Sequence, residues 1–365
     1  MLAGFRHIEK RELDAGMANG LKHQLNELSP FIELPTVGSS VPRNLIVDEF
    51  YGQVYESWVE DSRGAYGITD ELPISGFDRF ANCGFLRVPF RRIPRIALPD
   101  RKTLGAVLMR WRRANPDVVM LLRGQTREHL IERDQATLSV LYGDGHAIEP
   151  SLLPSAERAG VDFDCVMAEW LTLLDFFLLG NCQGEERTRM ERFAQTNDRL
   201  GLGMAMAQHY GLPSVGLDVT AAIDVALFFA LTEFVFDAEA GGYVTQGVDA
   251  GASPVLYVFM APDRFAFAHD MLSVSDIVAA PRPERQAAYF MHTGWGLAKN
   301  QNARYLLAAI YLDPSSDLGP VPKAQRLFPD PDPFAQFLGG ARMLGTSDAL
   351  AEVLALARPV IPMVV

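Results

Sequence analysis

At 365 residues, 48% hydrophobic and 21% charged, the chain has the balance of a soluble globular protein with room for one large domain or two. A net charge of −12 argues against a broad nucleic-acid surface or an anionic-membrane surface, because both need clustered Lys and Arg. Cys83, Cys165 and Cys182 lack metal spacing, and there is no signal-like start and no run of about eighteen apolar residues. Free thiols, no membrane span and a cytoplasmic location are therefore expected.

Residues 1–46 are polar with scattered apolar positions; a short helix is expected at the start and a loop through 35–42. Residues 47–95 read as irregular structure with turn signals. The basic stretch Arg87 to Arg95, with Arg101 and Lys102 beyond it, reads as a solvated loop able to touch one phosphate-bearing ligand. Leu104, Val107, Leu108 and Trp111 recur at helical spacing, and Asn115-Pro116 ends that helix. Residues 118–122 are continuously apolar, the signature of an interior strand buried on both faces. Arg123 closes it, at the carboxyl end where open sheets place ligand groups.

Met167, Leu171, Leu174 and Leu178 trace an amphipathic helix closed by Gly180-Asn181. A second helix runs from about 186 to 209 and stops at Gly211, since a residue without Cβ suits a helix carboxyl end. Asp218 or Thr220 caps a third helix, whose buried stripe is Ile223, Leu227, Ala230, Leu231 and Phe234. Ala226 and Ala230 are small enough to let that helix approach a sheet closely. Gly241, Gly242, Gly247 and Gly251 mark residues 240–253 as a mobile loop. Strands are expected at 255–260 and 304–312, a surface wrap over the Pro- and Asp-rich 314–333, and a last helix at 347–357. Helices and strands interleave unevenly, so the fold class is α+β, a mixed central sheet with packed helices.

Common catalytic motifs are absent. There is no GxGxxG after a strand, no Walker loop and no HExxH, and Ser214 lacks the first glycine of a nucleophile elbow. The histidines are scattered, so no zinc site is expected. The absence of a carboxylate cluster disfavours a metal nuclease or nucleotide hydrolase. Arg123 stands out because a guanidinium closing a buried strand is costly unless it meets an anion, which its planar fork grips bidentately. Gly124 behind it lets a ligand approach the backbone. Alternatively, Arg123 pairs with Asp218 and pins the sheet to the helix. His209 and Tyr210, at a helix end, present an imidazole and a phenol to a cleft, or else cap the helix and wedge into the core. Asp218 and Thr220 are capping residues, and the helix amino terminus they introduce is also an anion site.

Two segments carry a resemblance. The first is Val118-Val-Met-Leu-Leu-Arg123-Gly124-Gln125. The second is Gln208-His209-Tyr210-Gly211-Leu212-Pro213, continuing through Leu217-Asp218-Val219-Thr220 into Ala226-Leu227-Phe228-Phe229-Ala230. Together they resemble the FRG domain family, named for a Phe/Tyr-Arg-Gly motif; Leu122 stands where the family has the aromatic. Ser151-Leu152-Leu153-Pro154-Ser155 with Arg158, and Arg285-Gln286 with Phe290, are similar to two further family stretches. Ser214-Val215 and Val219 stand where the family pattern has Thr-Arg and Trp. The resemblance implies an FRG domain over 96–312, with an N-terminal extension at 1–95 and a tail at 313–365 packed on the core.

At lower resolution the same order of parts is similar to the ADP-ribosyltransferase superfamily. That similarity implies NAD as substrate. Arg123 would hold the diphosphate or adenylate ribose, and Gly124 the nicotinamide amide, with Gln125, His209, Asp218 and Thr220 around them. Tyr210 or Tyr289 would stack on nicotinamide. Gln286 or Glu284 would bond the nicotinamide ribose and favour oxocarbenium character at C1′. A solvated turn after Pro281 and Pro283 is the plain alternative for those two. The implied function is an NAD-dependent ADP-ribosyltransferase-like toxin or antiviral defence effector acting on an acceptor macromolecule or partner protein. The alternative is a non-catalytic ligand-sensing or protein-interaction domain on the same fold.

Overall fold

The computed structural model describes three strands near the start and then most of 95–155, 199–262, 280–292 and 302–336, with isolated positions between. The early strands are β1 (Phe5–Ile8), β2 (Leu45–Asp48) and β3 (Gln53–Glu56), paired antiparallel in that order. They replace the helix expected at the start and part of the irregular stretch expected at 47–95. Strands this short show no period of their own; partners distant in sequence stabilise them. The helix expected at 347–357, most of those expected at 167–198, and all three cysteines lie outside the described residues.

The remaining elements run β4 (Arg95–Ala97), α1 (Arg101–Ala114), β5 (Val118–Gln125), α2 (Arg199–His209), β6 (Gly216–Thr220), α3 (Ile223–Leu231), β7 (Thr232–Asp237), β8 (Gly242–Gly247), β9 (Val255–Pro262), β10 (Ala268–Asp270), α4 (Pro281–Arg285), β11 (Ala288–His292), β12 (Leu306–Tyr311) and α5 (Ala324–Leu327). One seven-stranded sheet has the order β10-β11-β6-β5-β9-β12-β4. Its strands pair antiparallel except β4 with β12, so the sheet is mixed and the fold is α+β. No helix among the described residues is long and apolar enough to cross a membrane.

β5 is interior, between β6 and β9, as its apolar run requires; Leu121 and Leu122 are fully buried. α1 starts at Asp100, whose carboxylate accepts the Thr103 N–H at 2.7 Å and is held below the usual carboxylate range chiefly by that bond. Leu104 and Leu108 of α1 join Met120 and Leu122 of β5, Leu256 and Val258 of β9 and Ala226, Leu227 and Ala230 of α3 in one core. α3 lies on β5 at unusually short range. A Cβ on Gly124 would fall 1.8 Å from the Ala226 carbonyl oxygen and 2.7 Å from the Ala230 nitrogen. Gly124 and the two alanines are thus parts of one contact.

α2 ends as expected, with Gly211 at φ 84° and the Leu212 N–H bonded to the Ala207 carbonyl at 2.9 Å. Three other expectations are corrected. Asp218 lies inside β6, and α3 has Ala222 as its N-cap with no side-chain cap bond; Thr220 Oγ1 accepts the Ala222 N–H instead. α3 stops at Leu231, so Phe234 belongs to β7 rather than to the helix stripe. Residues 242–247, expected within a mobile loop, form β8 in register with β7, because Tyr243 and Val244 find Phe236 and Val235 as cross-strand partners. Gly242 and Gly247 only bound that strand.

Candidate functional site

A cavity of about 210 Å³ opens beside the end of β5. Arg123, His209, Asp218, Thr220 and Gln286 contribute its polar lining, while Val225, Phe229, Ala288 and Phe328 contribute much of its apolar lining. Five of the expected site residues, together with Gly124, therefore meet at one place.

Asp218 is the centre of the polar part. Its backbone carbonyl accepts Arg123 Nη1 at 2.6 Å. Gln208 Nε2 donates to its Oδ2 at 3.2 Å, and His209 Nδ1 sits 3.8 Å from its Oδ1. Gln208 is oriented by two hydroxyls: Ser155 Oγ and Ser214 Oγ donate to its Oε1 at 2.6 and 2.8 Å, which leaves the amide N–H for Asp218. The Asp218 side chain remains 36% exposed, whereas the His209 side chain is 3% exposed and its Nε2 is buried without a hydrogen-bond partner. Arg123 thus ties β5 to β6 through the main-chain oxygen of Asp218.

Thr220 and Gln286 are occupied in holding the site together. Thr220 Oγ1 donates toward the Gln286 carbonyl at 2.7 Å and the Ala287 carbonyl at 3.1 Å. Gln286 Nε2 donates to the Leu327 carbonyl at 3.1 Å. This ties the α4–β11 turn to α5, the element just before Phe328.

The other expected residues lie elsewhere. Tyr210 is not in the cavity lining; its ring is buried, its hydroxyl donates to Asp332 Oδ1 at 3.1 Å, and the Arg282 guanidinium stacks 4.4 Å above it. Burial first, then the Asp332 charge, holds its phenol far above the ordinary range. It is the core wedge of the two readings. Gln125 ends β5 opposite Val255 and does not line the cavity. Glu284 is exposed in α4 and also lies outside the lining, as does Tyr289.

Four contributors escaped the sequence. Gln208 and Ser155 support Asp218, Phe229 follows a phenylalanine inside a helix, and Phe328 sits far downstream in a Pro- and Asp-rich stretch. Gln208, Ser155 and Phe229 had a signal, their places in the segments that carry the resemblance; Phe328 had none. A second polar cluster also went unseen: Glu128 accepts Arg95 Nη2 at 3.0 Å, the Tyr311 hydroxyl, and Tyr257 at 3.5 Å. Its carboxylate is fully partnered and binds the edge strand β4 to the interior. Among the described residues no group of His, Cys, Asp and Glu is arranged to hold a metal ion.

Residues 145–236 match the family model of the FRG domain. The match spans α2, β6 and α3 and begins beyond Arg123-Gly124. No curated protein and no solved structure matches the chain.

Proposed function

With an FRG domain present at residues 145–236 as the premise, we propose that the cavity at the end of β5 is the domain's ligand site. The proposed ligand is of the nucleotide class, with NAD as the first candidate. The observation that supports it is the meeting of Arg123, His209, Asp218 and two partly exposed phenylalanines around one cavity. Because β5 lies between β6 of the matched region and β9, the domain is taken to cover 96–312. The size sets a limit. Sites for drug-sized ligands run to about 300–1,000 Å³, and this cavity is about 210 Å³. It encloses a ring with its sugar, and the rest of a dinucleotide would lie outside it.

Asp218 fits a sugar. One of its oxygens accepts a single bond from Gln208, so acceptor capacity remains for ligand hydroxyls. Arg123 supplies positive charge to the same rim.

Ligand sensing without catalysis is the use we favour. Glu284 stands outside the cavity, and Gln286, though in its lining, has its amide nitrogen committed to the Leu327 carbonyl. Transfer chemistry keeps one form: Asp218 is the carboxylate in the cavity lining, and it would take the role expected of Glu284. The C1′–nitrogen bond of NAD would then break with its electron pair leaving on nicotinamide, and an acceptor nucleophile would bond to C1′. Asp218 would stabilise the cationic sugar between those events.

Calorimetric titration with NAD, combined with a nicotinamide-release assay, tests both. Binding without release supports sensing; release that disappears in Asp218→Asn supports transfer. No binding by protein of unchanged melting temperature rejects the site.

A further inference from the structure

Phe328 lies on the segment after β12, well beyond the FRG match, yet it completes the cavity. It is held there firmly. Its N–H bonds the Ala324 carbonyl at 2.8 Å, and Leu327 beside it is buried in a cluster with Val225 and Phe228. The Arg282 guanidinium lies 5.3 Å from its ring and 4.4 Å from that of Tyr210, and Arg282 Nε faces Asp332 at 3.5 Å. Phe229 stands edge-on to Phe328, with ring centroids 6.2 Å apart. Neither phenylalanine is fully buried, whereas Val225, Phe228 and Leu327 beside them are. Phe234 packs on both, stacked on Phe229 at 6.3 Å and edge-on to Phe328 at 5.6 Å, so the two rings are a fixed aromatic wall of the cavity against which a flat group can pack. The polar wall supplies an acceptor, the part-exposed Asp218 carboxylate.

We infer that Phe328, with Phe229, forms a ring-binding wall, and that the cavity selects a flat heteroaromatic group whose attached hydroxyl or amino donors reach Asp218. This rests on the proposal that the cavity is a ligand site, and it adds the chemical class of what is enclosed: a nucleoside-type ring and sugar, not a sugar phosphate alone. Phe328 is then a specificity-determining residue contributed from outside the matched domain.

The test uses the full chain and four probes, NAD, adenosine, nicotinamide and ribose 5-phosphate, titrated by calorimetry into wild type, Phe328→Ala and Phe328→Tyr. Melting curves check each variant. The expected result is binding of adenosine or nicotinamide, no binding of ribose 5-phosphate, at least a tenfold loss in Phe328→Ala, and recovery in Phe328→Tyr, which restores the ring. Ribose 5-phosphate binding as tightly as adenosine, or equal affinities for Phe328→Ala and wild type, overturns the ring wall even where NAD binds. If NAD is silent while a ring fragment binds through Phe328, the NAD proposal falls and the ring wall stands. If no probe binds folded protein, both fall.

Discussion

Gly124→Ala should be among the most damaging small substitutions in this chain. The new Cβ would sit 1.8 Å from the Ala226 carbonyl oxygen, 2.7 Å from the Ala230 nitrogen and 2.9 Å from the Ala226 carbonyl carbon. Carbon–oxygen contacts settle at about 3.3–3.6 Å, so the shortfall is about 1.5 Å. All three atoms belong to the α3 backbone, and no side chain can rotate away. The helix must retreat as a unit from β5, loosening Ala226, Leu227 and Ala230, each 0% exposed. A radial gap of even 0.5–1 Å forfeits about a quarter to a half of the contact energy. The cost belongs at or above the top of the usual overpacking range, about 3 kcal/mol. For a domain of this size that is roughly a 6–12 °C fall in melting temperature. Gly105→Ala is the matched control: nothing lies within 4 Å of its Cβ position in α1, so it should stabilise by about 0.5–1 kcal/mol. Thermal melting of both variants decides the matter. A Gly124→Ala protein melting within about 2 °C of wild type would refute the packing argument and return Gly124 to the role of admitting a ligand.

Three further predictions follow from the buried polar groups. Asp332→Asn leaves the Arg282 guanidinium, 5% exposed, without its counter-charge, and a denaturant titration should register a loss of about 3–5 kcal/mol. Gln286→Ala strands the buried Leu327 carbonyl and should cost about 1–3 kcal/mol of stability; unchanged stability would show that the amide bond to Leu327 matters little. Tyr210, Tyr257 and Tyr311 all have raised folded pKa values, burial being the first cause in each. A raised value stabilises the fold below the unfolded pKa near 10, and that contribution is lost as pH rises beyond it. Stability measured between pH 9 and pH 11 should therefore drop by about 1.4 kcal/mol per pH unit for each of Tyr210 and Tyr257 once past pH 10, with a smaller contribution from the part-exposed Tyr311, and a flat profile would contradict the burial of Tyr210 and Tyr257.

What could be read from the sequence was local and periodic. The apolar run of β5 announced an interior strand, the spacing of Leu104, Leu108 and Trp111 announced α1, and Gly211 marked the end of α2. Ala226 and Ala230 revealed the close helix–sheet approach, although Gly124, their counterpart, was read as admitting a ligand. What escaped depends on partners distant in sequence. β1 to β3 are short strands stabilised by one another, and β7 with β8 was hidden behind glycines that suggested a loop. Phe328 reaches the cavity because α5 is pinned by Gln286 and packs beside Phe228, and no local pattern records that. Arg123, His209, Asp218 and Gln286 were found together because segment resemblance grouped them. Tyr210 was placed one residue too generously, since a helix end turns successive side chains toward different surroundings, His209 to the cavity and Tyr210 to Asp332.

The location of the ligand site is tested most directly by methyl-labelled NMR during NAD titration. Val219 and Val225 line the cavity, while Leu104 and Leu318 sit in the core away from its lining. Saturable shifts at Val219 and Val225, with Leu104 and Leu318 unmoved, are the predicted result. Saturable shifts that spare both valines, or no shift anywhere at millimolar NAD, would contradict the assignment of this cavity.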